Sequence, residues 1–231
     1  MQLRLLEDVT ETRTHLSEAL ALRQQLAEIR NNEQNQADLA KLYLKLATDY
    51  SGFFNSDEAL AEEYSQKALE LYQNLYDSTG KLEYLTKLAE VYGYLSLEKN
   101  NGYYLEDQDD YQVSDAAKNN WYKKQIAILE TVTAMENSLH HRQLLGSAYV
   151  SFINHWLSAN REVAFGYAQK AVALFRSIVR ERGTIDDLRN LSIALVSAGS
   201  FSRDAQDCHT LTDEAVTIRQ NLYQQLSQPA D

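Results

Sequence analysis

Lys67-Ala68-Leu69-Glu70-Leu71 decides how this chain is read, because the same pattern returns elsewhere in register. It stands as Glu18-Ala19-Leu20-Ala21-Leu22, Lys124-Gln125-Ile126-Ala127-Ile128, Lys170-Ala171-Val172-Ala173-Leu174 and Glu214-Ala215-Val216-Thr217-Ile218. Four positions beyond each block comes another apolar residue: Leu26, Leu75, Val132, Ile178 and Leu222. Apolar residues recurring at these steps of two and four, beside a small residue, mark the stripe of an amphipathic helix.

A second pattern precedes four of these blocks. It reads Tyr43-x-x-Leu46-Ala47-x-x-Tyr50, Leu85-x-x-Leu88-Ala89-x-x-Tyr92, Arg142-x-x-Leu145-Gly146-x-x-Tyr149 and Leu188-x-x-Leu191-Ser192-x-x-Leu195. Its spacing keeps these residues on one helical face. The residue after the central Leu is always small, which lets a neighbouring helix come close. From Ala68 to Ala89, Gln125 to Gly146 and Ala171 to Ser192 the interval is 21 each time. Gly80, Asn137 and Gly183 fall at the same point in those intervals and are expected to end helices in the left-handed conformation. Thr184 with Asp187 reads as a capping pair for the next helix.

Together these motifs resemble the tetratricopeptide repeat family, in which Leu-Gly/Ala-x-x-Tyr lies in the first helix of each pair and a small residue in the second. Tyr64-Ser65-Gln66-Lys67-Ala68-Leu69-Glu70-Leu71 carries the second-helix likeness best. The units depart from the family: Tyr43, Leu85, Arg142 or Leu188 replaces its Trp, the closing Pro is missing, and the small residues recur at 42, 57 and 46 positions. The standard repeat is about 34 residues long. The resemblance implies an all-α, right-handed superhelix. Helices are expected over 1–30, 36–53, 57–77, 82–98, 116–135, 139–158, 161–181, 185–201 and 208–226, nine in all. This is read as a single repeat domain over 1–231, with an N-terminal helix at 1–30 and paired units at 36–80, 82–137, 139–183 and 185–226. The first helix either caps the array or follows a helix outside this sequence.

Composition narrows the function. With 22 Lys+Arg against 33 Asp+Glu the formal charge is −11, which argues against nucleic-acid binding. Only 8 Gly and a single proline, Pro229, disfavour a many-stranded β protein. No run approaches a membrane span, and the N-terminus lacks the apolar core of a secretory signal. A lone Cys208 forms no internal disulfide, so a cytoplasmic setting is expected.

Chemistry-bearing clusters are sparse. The 99–120 insertion holds Tyr103, Tyr104 and Tyr111 around Glu106-Asp107-Gln108-Asp109-Asp110 and is read as a solvated acidic loop or a contact arm. It lacks the Gly and closing Glu of a calcium loop. His15, His140, His141, His155 and His209 show no His-x-x-x-His pair. Cys208-His209 near Asp204 and Asp207 lacks the elbow and oxyanion features of a nucleophile site. No catalytic residue, metal or cofactor is expected.

In stacked helical pairs the first helices line the concave side. The residues expected there are Lys41, Lys45, Thr48, Lys87, Glu90, Tyr94, Gln143, Ser147, Arg189, Asn190 and Ile193, with Gly52, Thr86 and Ser197 beside them. The cations suit a protein or extended peptide bearing carboxylates. The expected function is thus a non-enzymatic interaction scaffold; a peptide-responsive regulator and an enzyme using Cys208, His209 or the insertion are the alternatives. The carboxylate-clamp pattern of some family members is absent, since Lys45 and Val91 stand where it needs Asn or Arg. Terminal helices leave room for association with a second copy.

Overall fold

A computed structural model describes residues 2–50, 57–98, 108–156 and 161–227, and the side chains of these except 2–13, 58, 97–98, 108–119 and 155–156. Among the described residues the secondary structure is helical throughout. The helices are α1 (Gln2–Ile29), α2 (Glu33–Tyr50), α3 (Glu58–Thr79), α4 (Leu82–Glu98), α5 (Gln108–Met135), α6 (Leu139–Trp156), α7 (Arg161–Glu181), α8 (Ile185–Phe201) and α9 (Ala205–Ser227). They fall into two compact units, Met1–Ser114 and Asp115–Asp231.

The punctuation follows the sequence in most places. Gly80 and Gly183 take φ of 66° and 64°, the left-handed values that glycine adopts without Cβ strain. Asp57 caps α3 by accepting from the Leu60 N–H at 3.1 Å. At α8, Thr184 and Asp187 form a reciprocal capping box. Asn137 departs from expectation, since no described non-glycine residue has positive φ. The turn closes instead on the Glu136 carbonyl, which accepts from the Ser138 N–H at 2.8 Å and lies 2.9 Å from the His141 ring nitrogen. A side chain with a Cβ thus avoids the strained conformation altogether. α5 also begins earlier than expected, at Gln108 rather than 116, so the latter part of the insertion is helix, not loop. No Gly or Pro between Gln108 and Met135 stops it. Residues 99–107 of that insertion, with Tyr103 and Tyr104, lie outside the described residues.

In the first unit α2 and α4 run side by side in the same direction. Near their starts, Tyr84 and Lys81 both donate to the Glu33 carboxylate. Towards their other ends the Tyr94 hydroxyl donates to the Ala47 carbonyl at 2.7 Å. α3 packs between them in sequence, with Tyr43 stacked on Tyr64 at 5.8 Å and Tyr72 on Tyr84 at 6.5 Å. α1 lies on α2 through an Arg23–Asp38 ion pair at 2.7 Å and a Gln24 to Tyr43 hydrogen bond at 2.9 Å.

The second unit repeats this logic. α6 and α8 are parallel neighbours, joined by Gln143 to Asp187 at 3.2 Å and Ser197 to Asn154 at 3.5 Å. Their partners form a second row: Lys170 of α7 reaches Glu130 of α5 at 3.1 Å, and Arg176 of α7 pairs with Glu214 of α9. Within each unit the first helices therefore lie side by side, and in the second unit the second helices do so as well.

Small residues permit this. Ala47, Ala68, Ala89, Ala171, Ser192 and Ala215 are all buried. Gly146 shows how close the approach is: a Cβ there would sit 2.8 Å from Phe175 Cζ and 2.9 Å from its Cε2. Gly146→Ala is expected to cost about 1–3 kcal/mol by overpacking. Thermal melts should show the cost shrinking in a Phe175→Leu background, and equal losses in both backgrounds would contradict the contact.

Candidate partner-binding surface

The residues expected to face a partner separate into two groups. In the first unit Lys41, Lys45 and Thr48 are exposed on α2, while Lys87, Glu90 and Tyr94 are half-buried on α4. In the second, Ser147 is exposed on α6, Arg189 and Ile193 are exposed on α8, and Gln143 and Asn190 are half-buried. Because α2 neighbours α4 and α6 neighbours α8, each unit gathers its own group on adjacent first helices.

Two neighbouring expectations fail. Thr86 is buried, donating to the Leu82 carbonyl at 2.9 Å, and Ser197 is buried against Asn154. Thr86 bonds within its own helix turn and Ser197 meets the preceding first helix, α6, and a short hydroxyl is accommodated in either way. Gly52 lies outside the described residues.

Three of the four cations are already partnered. Lys45 meets Asp49 at 3.3 Å, Lys87 meets Glu90 at 2.8 Å, and Arg189 meets Asp186 at 3.0 Å. Every one of these pairs lies within a single helix and is partly solvent-exposed, so it is worth only a few tenths of a kcal/mol, about 0.2–1. Such pairs exchange readily for an incoming carboxylate. Tyr94 and Gln143 are held more firmly, because their polar ends join one first helix to the next.

Two tyrosine–lysine clamps escaped the sequence reading. Lys67 sits 5.5 Å from the Tyr43 ring centre and 5.8 Å from that of Tyr64. Lys170 sits 5.4 Å from Tyr149 and 5.3 Å from Tyr167. In both clamps the tyrosine three residues before the lysine lies on the same helix, and the other comes from the preceding first helix. The spacing Tyr-x-x-Lys was visible; the cross-helix tyrosine was not. The Lys67 ammonium is also raised in pKa, chiefly by its hydrogen bond to Glu63. Burial raises Tyr149, as does its hydrogen bond to Glu130. Glu130 is raised by burial but lowered on balance, through hydrogen bonds from Tyr149 and Lys170. At the other unit, Tyr84 is pushed up to about 12 by burial and by Glu33, whose own carboxyl is lowered first by Lys81 and then by Tyr84. The clamps therefore fasten helix to helix.

Asp187 is the strongest polar centre. Its fully buried carboxylate accepts from Arg182 Nε at 2.9 Å, from Arg182 Nη2, from the Thr184 N–H at 3.0 Å and hydroxyl at 2.8 Å, and from Gln143. Arg182 first, then Thr184, hold its pKa far below the usual carboxylate range against the opposing effect of burial. Cys208 is half-buried and His209 exposed, and no described group of three or more His, Cys, Asp or Glu is placed to hold a metal ion.

No family model and no curated protein matches the chain. Solved helical structures do match over nearly its full length. BtubC (BKLC) from P. vanneervenii is 16% identical, with 99% of this chain and 91% of that one covered and a TM-score of 0.47. The de novo designed helical repeat protein DHR64 is 11% identical over 96% and 99%, with a TM-score of 0.33. The DHF58 filament is 11% identical over 94% and 97%, with a TM-score of 0.31. The described residues form an all-helical fold of sequentially packed helices, and the tyrosine–lysine contact between α2 and α3 recurs between α6 and α7.

No helix among the described residues is long and apolar enough to cross a membrane.

A depressed carboxyl pKa leaves the unfolded state binding more protons below about pH 4, the ordinary aspartate range. The stability it contributes is present above that pH and is lost as pH falls towards the folded value. Asp187→Asn is expected to destabilise the protein by about 2–3 kcal/mol at neutral pH. It should also flatten the fall in Tm between about pH 4 and 2. An unchanged acid profile in the variant would show that Asp187 is not the titrating group.

Proposed function

We propose that the chain is a non-enzymatic, tetratricopeptide-like interaction scaffold of the cytoplasm that binds extended protein segments along the first helices of each unit. One observation supports this most directly. Neighbouring first helices lie parallel, and on them Lys45, Lys87 and Arg189 are held only by weak pairs to acids of their own helix. A partner carboxylate displaces Asp49, Glu90 or Asp186 at little cost, because one exposed ion pair replaces another. Exposed Ile193 and half-buried Asn190 add apolar and hydrogen-bonding contact beside Arg189. The frame that holds these groups is fixed by Tyr94 on the Ala47 carbonyl and Gln143 on Asp187, so binding does not have to order it.

An acidic partner is favoured by this arrangement even though the chain carries a net charge of −11. The overall charge slows the approach of such a partner, and the local cations set its register. Association is therefore expected to be sensitive to ionic strength.

The immobilised chain should retain partner proteins at low salt that mass spectrometry identifies. Replacing Lys45, Lys87 and Arg189 together by alanine is expected to weaken their binding by about tenfold. Undiminished retention of all of them would overturn the reading.

A further inference from the structure

The formal charge of the chain is not shared between its two units. Met1–Ser114 holds 10 Lys and Arg against 21 Asp and Glu, a formal −11, whereas Asp115–Asp231 holds 12 of each and is formally neutral. The whole excess therefore falls in the first unit. Equivalent second helices show the contrast. α3 carries five acids and one lysine, while α7 carries two acids and four cations.

The charges are also connected differently. On α3, Glu62, Glu70 and Asp77 are exposed. Among the described residues none of the three pairs with a cation; Glu70 accepts from Gln66 at 3.4 Å and Asp77 from Gln73 at 2.8 Å, both amides of the same helix. Lys67, Lys45 and Lys87 pair with acids of their own helices. Arg23 with Asp38 and Lys81 with Glu33 are the printed pairs that reach across elements in this unit. In the second unit attraction across elements is the rule. Arg142 with Glu181, Lys170 with Glu130 and Arg176 with Glu214 each tie one helix to another, and Arg182 holds Asp187 across the turn between α7 and α8.

Salt acts on these arrangements with opposite sign. Repulsion among like charges opposes the compact state, and unfolding relieves it by moving the charges apart. The Debye length shrinks from about 30 Å at 0.01 M to about 10 Å at 0.1 M, so added salt screens that repulsion. Where net repulsion prevails, salt stabilises the fold. Where unlike charges join neighbouring helices, salt screens an attraction and brings no gain.

We propose that the first unit is an ionic-strength-responsive element, loosened by its own charge at low salt and tightened by screening, and that the second unit lacks this response. The surface of α2 and α4 is thus held more firmly as salt rises, while that of α6 and α8 is not. The device depends on the charge balance of each unit and not on the scaffold reading.

Hydrogen–deuterium exchange of the full chain, read peptide by peptide by mass spectrometry, tests this at about 0.01 M and about 0.3 M NaCl. Exchange in α2–α4 is expected to slow by about threefold or more at the higher salt, with no slowing in α6–α8. Choline chloride at the same ionic strength should act as NaCl does, because screening needs no bound ion. Glu62→Gln, Glu70→Gln and Asp77→Asn together, all at exposed positions, should slow exchange in α2–α4 at low salt and shrink the response to added salt. Equal slowing in both units, or none in α2–α4, would overturn the proposal. So would an effect of NaCl that choline chloride does not reproduce, or an undiminished response in the triple variant.

Discussion

Everything in this fold depends on backbones coming close at one small side chain per helix. Gly146 leaves no room for a methyl group against the Phe175 ring, and Ala47, Ala89 and Ser192 occupy the same place in the other first helices. On the second helices Ala68, Ala171 and Ala215 do the equivalent. Larger residues at these points would hold neighbouring helices apart and expose the leucines and tyrosines around them, and apolar burial is the dominant favourable term. Gln125, half-buried, is the one departure in the second-helix series.

Close packing alone does not set the register between helices. Polar groups do that here, because a buried donor or acceptor left without a partner is costly and each has few places to go. Tyr94 can satisfy its hydroxyl on the Ala47 carbonyl only when α2 and α4 are aligned as they are. Asp187 imposes a stricter condition, since Arg182, Thr184 and Gln143 must all converge on one carboxylate. The lysines over paired tyrosines add a further cross-helix contact of the kind worth about 0.5–1 kcal/mol at exposed sites. Several cations of an acidic chain thus sit at the seams between its helices.

This division of labour bears on binding. Groups that lock helices together are unavailable to a partner, whereas Lys45, Lys87 and Arg189 lean on acids of their own helices and contribute little to the frame.

The helices, their small close-contact residues and the glycine turns at Gly80 and Gly183 were legible in the sequence, since each follows from a local period or a local backbone requirement. The start of α5 and the turn at Asn137 were not, because several local solutions were open to those residues. Nor did the sequence reveal which surface polar residues were engaged: Tyr94 finds its acceptor 47 positions away and Gln143 its acceptor 44 away. Thr86 and Ser197 read as surface residues and proved buried for the same reason. Periodicity fixes which side of a helix a residue occupies, but only the packed neighbour decides whether that side meets water, a carbonyl or a charge.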